Sequence, residues 1–130
     1  MKAFNAELIQ EYRATSGKLT GPRAGMNPLL LTTTGAKSFA ERTVVLGWRP
    51  YGDALAVIAS NNAAPTSPLW FANLTANPVA TVEVGGEKFK VKARVAEGQE
   101  RAELAKLIDY YERQQALTSR EIPILVLERV

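Results

Sequence analysis

The side chains that could carry chemistry in this sequence are mainly those of Lys, Arg, Ser and Tyr, because its 130 residues include no His and no Cys. The absence of His excludes Ser-His-Asp and Cys-His catalysis, the HExxH metal motif and a His-ligated haem. The absence of Cys excludes disulfides, thiolate nucleophiles, iron–sulfur clusters and Cys-based zinc sites. If the chain is an enzyme, we expect its reactive atoms to come from a cofactor that these side chains and the backbone amides bind and orient.

The composition predicts one ordinary globular domain over residues 1–130. Hydrophobic residues make up 46% of the chain and charged residues 22%, with 16 Lys and Arg against 13 Asp and Glu. Asp53 and Asp109 are the only aspartates and the glutamates are scattered, so no metal cage is expected. No apolar run has the length of a membrane-spanning helix, and the N-terminus has no secretory signal pattern. The expected location is the cytoplasm.

The first half of the chain predicts one helix and a β-meander that would position such groups. Residues 3–16 carry apolar positions on one helical face, which either closes one side of the core or lies on a membrane surface. Residues 18–27 predict a loop. Residues 28–34, 42–49 and 54–60 are rich in apolar and β-branched residues and predict three strands.

The second half predicts two further helices and a terminal strand. Ser67 is placed to cap a short helix that ends near residue 76, with Pro68 at its first position. Residues 97–115 predict a longer helix with one apolar face. Residues 122–127 predict the last strand, with a proline near its start where a missing donor costs least.

Between these helices the sequence predicts a β-hairpin. Residues 79–84 and 87–95 flank Gly85-Gly86, and the second strand alternates apolar residues with cations. One face of that strand therefore belongs to the core. The other face is either a solvated row that discourages edge pairing or a surface for an anionic ligand, and it carries Lys88, Lys90, Lys92 and Arg94.

These elements amount to about six strands and three helices. Because the connections are short, the sheet should be largely antiparallel, which suits a mainly β (α+β) fold: a small closed or split β-barrel with helices packed outside. A cleft at the mouth of such a barrel, or between helix and sheet, could hold a flat cofactor.

Four segments, taken in order, carry a resemblance to a known family. They are LTTTGAKS at residues 31–38 with Arg42, Ala59-Ser60, PLWFANLTANP at residues 68–78, and TSREIP at residues 118–123. Together they resemble the deazaflavin-dependent nitroreductase family of actinobacteria over about residues 5–130. The resemblance implies the six-stranded split β-barrel of flavin-binding reductases and the use of the reduced 8-hydroxy-5-deazaflavin coenzyme F-420.

The resemblance also implies which residues hold the coenzyme. Lys37, Ser38 and Arg42 match a family turn whose basic and hydroxyl groups hold the coenzyme's phosphate and acidic tail. Ser60 matches the start of a loop that runs along the deazaflavin ring. The other matches lie on the helix beside the ring and are Trp70, Asn73 and Leu74. The alternatives are a solvated turn for the first set and a core aromatic for Trp70.

The implied reaction is hydride transfer from the reduced coenzyme to an electron-poor small molecule, such as a quinone, an activated alkene or enone, or a nitro compound. Such chemistry needs stacked reactants and excluded water rather than a protein nucleophile. Tyr111 aligns with a family tyrosine near the substrate pocket and is the predicted catalytic residue, as donor of a hydrogen bond or proton. The alternative is a core or interface tyrosine.

The chain departs from the family pattern within the predicted site. Ala36 stands in place of the usual Arg, Phe39 in place of Gly, and Val45 in place of a common Pro. Asn61-Asn62 occupies loop positions that are commonly Gly-Gly, and Ser67 stands where many members carry His. Because glycine permits backbone angles that Phe and Asn resist, we expect these changes to affect how the coenzyme is held.

Three other interpretations fit parts of the sequence. The cation row of the hairpin suggests a non-catalytic binder of single-stranded nucleic acid, although a net charge of +3 is modest for that role. A split barrel could instead bind FMN or carry a lipophilic small molecule. A quinone substrate would favour peripheral contact with the inner face of the plasma membrane.

Overall fold

The structure is a computed structural model that describes residues 2–19, 28–61 and 64–130, with side chains described from residue 6 onwards. The predicted loop over residues 18–27 and the departure at Asn62 therefore lie largely outside the described residues. The elements in chain order are α1 (Lys2–Ala14), β1 (Leu29–Thr34), β2 (Glu41–Leu46), β3 (Arg49–Tyr51), β4 (Ala54–Ile58), α2 (Leu69–Ala76), β5 (Val79–Val84), β6 (Glu87–Val95), α3 (Gly98–Leu107), α4 (Tyr111–Gln115) and β7 (Ile124–Arg129).

The described strands form one antiparallel sheet in the order β2-β1-β5-β6-β7-β4-β3. β2 and β3 lie at opposite edges of this sheet, although only Gly47 and Trp48 separate Leu46 from Arg49. Because successive Cα atoms are about 3.8 Å apart, the two edges must approach within roughly 11 Å of each other there. The sheet therefore curls into a split barrel, with a seam between β2 and the end of β4.

The strand and helix counts exceed the prediction for two local reasons. The predicted strand over residues 42–49 is divided at Gly47, because the residues before it pair with β1 and those from Arg49 onwards pair with β4. The predicted helix over residues 97–115 is divided at Ile108, whose ψ of 92° leaves the helical region. The described chain thus has seven strands and four helices rather than six and about three.

The barrel interior is an apolar cluster closed at one end by α2. Alternate residues of β1, β4 and β7 point inward, and Trp70 and Leu74 of α2 pack against them. A second cluster lies outside the barrel, where α3 and α4 cover Ala56 and Ile58 of β4. The predicted antiparallel barrel with flanking helices is confirmed.

Helix α1 closes one side of the sheet. Leu8 and Tyr12 are buried against Leu19 and Leu30, and the Tyr12 hydroxyl donates a 2.8 Å hydrogen bond to the Pro28 carbonyl. The face that could have lain on a membrane is therefore covered by the sheet. Within the described ranges, no helix is long and apolar enough to cross a bilayer.

The predicted hairpin forms between β5 and β6 with the register Val84↔Glu87. Gly85 and Gly86 both adopt positive φ angles, of 57° and 89°, which suits a tight turn between twisted strands. Along the cation row of β6 the lysines are exposed, whereas Arg94 bonds to Glu100 at 2.9 Å and Glu128 at 3.1 Å. The row is therefore not a uniform line of unpaired cations.

Candidate active site

A cleft opens along the barrel seam, between β2, the segment that follows β4, and the start of α2. It consists of two adjoining cavities of about 370 and 440 Å³, which share Val44, Asn61, Pro68 and Trp70. The first cavity also reaches Ser60 and Tyr110, and the second reaches the residues Thr33, Arg42, Ser67 and Asn73. Cavities of this size are typical of sites for cofactors and small substrates.

The cleft brings together four of the residues predicted to bind the coenzyme, namely Arg42, Ser60, Trp70 and Asn73. Lys37 and Ser38 lie on the exposed turn between β1 and β2. Leu74 is buried in the barrel core. A larger cavity of about 750 Å³ lies between α1 and the sheet and is lined by none of the residues predicted to bind the coenzyme or to act in catalysis. We therefore place the candidate site at the seam.

Asn73 ties α2 to the end of β1. Its Nδ2 donates to Thr33 Oγ1 at 3.1 Å, and its Oδ1 accepts a 3.1 Å hydrogen bond from the Ala36 backbone N–H. Both Asn73 and Thr33 are buried, so these bonds satisfy groups that water does not reach. The Asn73 amide is therefore occupied in holding the turn that carries Lys37 and Ser38.

That turn is closed by its own hydrogen bonds. The Gly35 N–H donates to the Ala40 carbonyl at 2.8 Å, and the Phe39 N–H donates to the Gly35 carbonyl at 3.0 Å. Phe39 has a φ of 58° and its side chain is 77% exposed. Asn61 also has a positive φ, of 49°. Two positions where the family pattern carries glycine thus keep a left-handed backbone with other residues.

Arg42 supplies the positive charge of the cleft. It follows the turn on β2, opposite Thr33 in the register of β1, and its side chain lines the second cavity. Within the part of the chain that the structure describes, no carboxylate forms an ion pair with it. The guanidinium is therefore available to an anionic group at this end of the cleft.

Arg120 organises the opposite wall of the cleft, and sequence reasoning assigned it no role. Its Nη2 donates to the carbonyls of Ala59 at 3.2 Å and Ser60 at 2.7 Å. Its Nε donates to the Ala64 carbonyl at 2.8 Å, and its Nη1 donates to Ser67 Oγ at 3.3 Å. The signal was the TSREIP segment, which contains this arginine.

The prediction that Ser67 caps α2 through its side chain is wrong. Helix α2 begins at Leu69, its N-cap is Pro68 with extended angles, and no side chain bonds to its first amides. Ser67 Oγ instead accepts the hydrogen bond from Arg120. The hydroxyl that the local sequence predicts as a helix cap is thus used in a tertiary hydrogen bond.

Tyr110 lines the first cavity, and the sequence did not indicate it. Its hydroxyl is buried and has no hydrogen-bond partner within the described residues. A Cβ added at Gly47 would lie 3.3 Å from that hydroxyl, so the glycine makes room for it. Burial raises the pKa of Tyr110, with Asp109 adding to the effect and Arg49 opposing it. The phenol is therefore protonated near neutral pH.

Tyr111 lies outside the cleft, in the cluster beneath α3 and α4. Its hydroxyl donates to Gln115 Oε1 at 3.0 Å and accepts a hydrogen bond from Arg101. Burial raises the pKa of Tyr111, and the charge of Arg101 opposes this shift. The hydroxyl thus has partners inside the protein. The catalytic role predicted for Tyr111 stays a prediction.

The cleft fits a flat ring with an acidic tail. Val44 and Trp70 provide apolar and aromatic wall where the two cavities meet, and Arg42 provides a cation at one end. Tyr110 lines the other end, and its buried hydroxyl has no hydrogen-bond partner among the described residues. A planar aromatic group and an anion could thus be bound in one continuous space.

Comparison with known proteins decides the family. Residues 5–129 match the family model for F420H(2)-dependent quinone reductase. The chain belongs to this family. It is 38% identical over 126 residues to the F420H(2)-dependent quinone reductase Rv1261c of Mycobacterium tuberculosis, which covers 91% of this chain and 85% of that protein. The predicted family, the reductase class and the deazaflavin coenzyme are confirmed.

Solved structures of related proteins support the same assignment for this quinone reductase family member. A structure of an F420-H2 dependent reductase (FDR-A) superimposes with a TM-score of 0.69 at 34% identity, covering 78% of this chain and 93% of that one. A domain-swapped dimer superimposes with a TM-score of 0.71 at 31% identity, covering 92% and 95%. The split-barrel fold of the family is therefore shared.

Proposed function

We propose that this quinone reductase family member reduces a quinone in the seam cleft, using reduced coenzyme F-420 as the hydride donor. The observation that carries the proposal is that a cation, an aromatic residue and a tyrosine line one cleft, namely Arg42, Trp70 and Tyr110. The coenzyme, when bound, supplies a hydride from its ring carbon to an electron-poor acceptor. The protein binds and orients the coenzyme and the quinone, and it supplies one proton.

The anionic part of the coenzyme is held at the Arg42 end of the cleft. Arg42 lines this end, and the turn bearing Lys37 and Ser38 leads directly into β2. Charge-assisted hydrogen bonds from such groups suit a phosphate or a carboxylate. The Asn73 bonds to Thr33 and the Ala36 N–H keep the turn in place, so Asn73 contributes by positioning.

The ring is held where the two cavities meet. Val44 and Trp70 line both cavities, and Ser60 borders the first. Their surfaces would exclude water from the reacting pair and keep the pair stacked. Orientation of this kind contributes a large share of the rate of a transfer that uses no protein nucleophile.

The proton for the reduced quinone oxygen is held at Tyr110 Oη. Tyr110 lines the cleft, and its buried hydroxyl has no other described partner. Tyr111, the residue indicated by the family resemblance, is the second candidate, although Gln115 and Arg101 already bond to its hydroxyl. Substitution of each tyrosine separates the two roles.

The test of the proposed function is a fluorescence titration of the purified protein with oxidised coenzyme F-420, with FMN in parallel. We expect saturable binding of the deazaflavin and not of FMN. Anaerobic turnover with the reduced coenzyme should then favour quinones over enones and nitro compounds at matched reduction potential. Binding of FMN alone, or a preference for nitro compounds, would contradict the proposal.

A further inference from the structure

The segment after β4 forms one wall of the cleft, and the side chain of Arg120, which lies outside this segment, bonds to its backbone. We call residues 59–61 and 64–67 the cleft loop. Ser60, Asn61, Thr66 and Ser67 of this loop line the two cavities. Arg120 lines neither cavity, yet it donates four hydrogen bonds to the loop.

Three of the four acceptors are backbone carbonyls, so Arg120 fixes the orientation of peptide planes. A trans peptide is planar, and its N–H points opposite to its C=O. The Ala59 and Ser60 carbonyls both point to Nη2 of Arg120, at 3.2 and 2.7 Å. The N–H groups of the same two peptides, which belong to Ser60 and Asn61, therefore point away from Arg120.

These two N–H groups have no acceptor among the described residues. The Ala59 N–H, one residue earlier, continues the sheet pattern by donating to the Pro123 carbonyl at 3.0 Å. The Asn61 side chain donates to the Thr66 carbonyl at 3.1 Å, and the Asn61 carbonyl accepts from the Ala64 N–H at 3.0 Å. Among the described N–H groups of the loop, those of Ala59 and Ala64 therefore have acceptors, whereas those of Ser60, Asn61, Thr66 and Ser67 have none. Ser60 and Asn61 are the two whose peptide planes Arg120 fixes.

Arg120 is itself held by a second network. Gln115 Nε2 donates to the Arg120 carbonyl at 2.7 Å, and Gln115 Oε1 accepts from the Ile122 N–H at 2.9 Å. The same Oε1 accepts the hydroxyl proton of Tyr111 at 3.0 Å. A planar guanidinium with five donors can bond to several carbonyls at once, which an ammonium group cannot do in the same geometry.

We propose that Arg120 is a positioning residue that presents the Ser60 and Asn61 N–H groups as a pair of donors to a polar edge of the deazaflavin ring. This inference rests on the proposed function, because it concerns the residue that holds one wall of the same cleft. Arg120, the arginine of the TSREIP segment, thus affects coenzyme affinity without contacting the coenzyme.

The experiment compares Arg120→Ala and Arg120→Lys with the matched control Arg113→Ala, an exposed arginine on α4. Loss of the Arg120 guanidinium should raise the Kd for oxidised coenzyme F-420 by roughly tenfold or more, a factor that the weakening of two backbone hydrogen bonds can account for. Lysine should not restore the affinity, since its charge is kept but its geometry differs. Arg113→Ala should bind like the original chain.

Two further readouts separate positioning from a general loss of stability. Guanidinium ion, below concentrations that unfold the protein, should restore most of the affinity of Arg120→Ala, and ammonium ion should not. Amide hydrogen exchange in peptides covering residues 59–67 should be faster in Arg120→Ala than in Arg113→Ala while the rest of the barrel is unchanged.

Three results would overturn the inference: unchanged affinity in Arg120→Ala, full affinity in Arg120→Lys, or unchanged exchange in the cleft loop. Failure of the original chain to bind the coenzyme would instead overturn the proposed function. In that case the exchange measurement, which needs no coenzyme, still decides whether Arg120 holds the loop.

Discussion

Tyr110 and Tyr111 are neighbours in the chain, but their hydroxyl groups lie in different environments. Tyr110 lines the cleft and its buried hydroxyl has no partner among the described residues, whereas the Tyr111 hydroxyl donates to Gln115 Oε1 at 3.0 Å in the outer core. The helix break at Ile108 precedes both residues and permits this divergence. Each tyrosine is therefore the matched control for the other.

We expect Tyr110→Phe to lower kcat for a quinone by up to about 100-fold, the lower end of what a positioned proton donor contributes. Its Kd for the coenzyme and its stability should change little. Tyr111→Phe should instead lower the free energy of unfolding by about 1–3 kcal/mol, because Arg101 and Gln115 lose a buried partner. Steady-state kinetics and denaturant unfolding check both. A slow but fully stable Tyr111→Phe would return the catalytic role to Tyr111.

Arg42→Ala should weaken coenzyme binding about tenfold at low salt, through loss of a charge-assisted hydrogen bond. The difference from the original chain should shrink at high salt, where charge attraction is screened. Lys37→Ala should show a smaller effect of the same kind, since Lys37 is on the exposed turn. Lys90→Ala, an exposed cation of β6, is the control. Normal low-salt affinity in Arg42→Ala would refute the anionic-end assignment.

Asn73→Ala should lower the free energy of unfolding by about 1–3 kcal/mol, because it leaves the buried Thr33 hydroxyl and the Ala36 N–H without their partner. It should also weaken coenzyme binding, since the turn loses its tie to α2. Thr75→Ala on the exposed side of the same helix is the control. Full stability of Asn73→Ala in denaturant unfolding would show that the tie is not needed.

Phe39→Gly should stabilise the protein by roughly 0.5–1 kcal/mol, because a left-handed backbone costs a residue with a Cβ about 1–2 kcal/mol and glycine's larger unfolded-state entropy offsets part of the gain. The φ of Phe39 is 58° and its exposed ring contributes little packing. Phe39→Ala, which keeps the Cβ, should give no such gain. Equal melting temperatures for the two variants would contradict this account.

The tyrosines make the fold sensitive to alkali. Burial is the main cause that raises the pKa of Tyr12, Tyr110 and Tyr111, and a hydrogen bond to Glu100 raises that of Tyr51. A pKa raised by folding contributes stability that is complete below the ordinary value of 10.0 and is lost as the pH rises through the folded value.

Phenolate absorbance should therefore rise only above pH 10, together with the loss of the circular dichroism of the fold. Tyr110→Phe and Tyr111→Phe each remove one of these phenols. Each variant should therefore shift the pH midpoint of alkaline unfolding relative to the original chain. Titration of all four phenols near pH 10 in a protein that stays folded would contradict the burial of Tyr12, Tyr110 and Tyr111 and the hydrogen bond between Tyr51 and Glu100.

Much of the fold follows from local patterns in the sequence. Periodicity and turn residues predict the hairpin around Gly85-Gly86 and the helix α1, because both signals depend on residues a few positions apart. The division of the strand at Gly47 could not be predicted in this way. It depends on which sheet edge each half joins, and therefore on partners in β1 and β4.

By itself, the sequence determined that no His or Cys chemistry is possible and, through four ordered segments, that the chain belongs to a deazaflavin reductase family. The tertiary structure alone decided which of those residues share a cleft, which of two adjacent tyrosines reaches it, and what Arg120 holds. The bond between Arg120 and the Ser60 carbonyl joins residues 60 positions apart. Such contacts form only when the sheet curls and brings its ends together, so no periodicity along the chain encodes them.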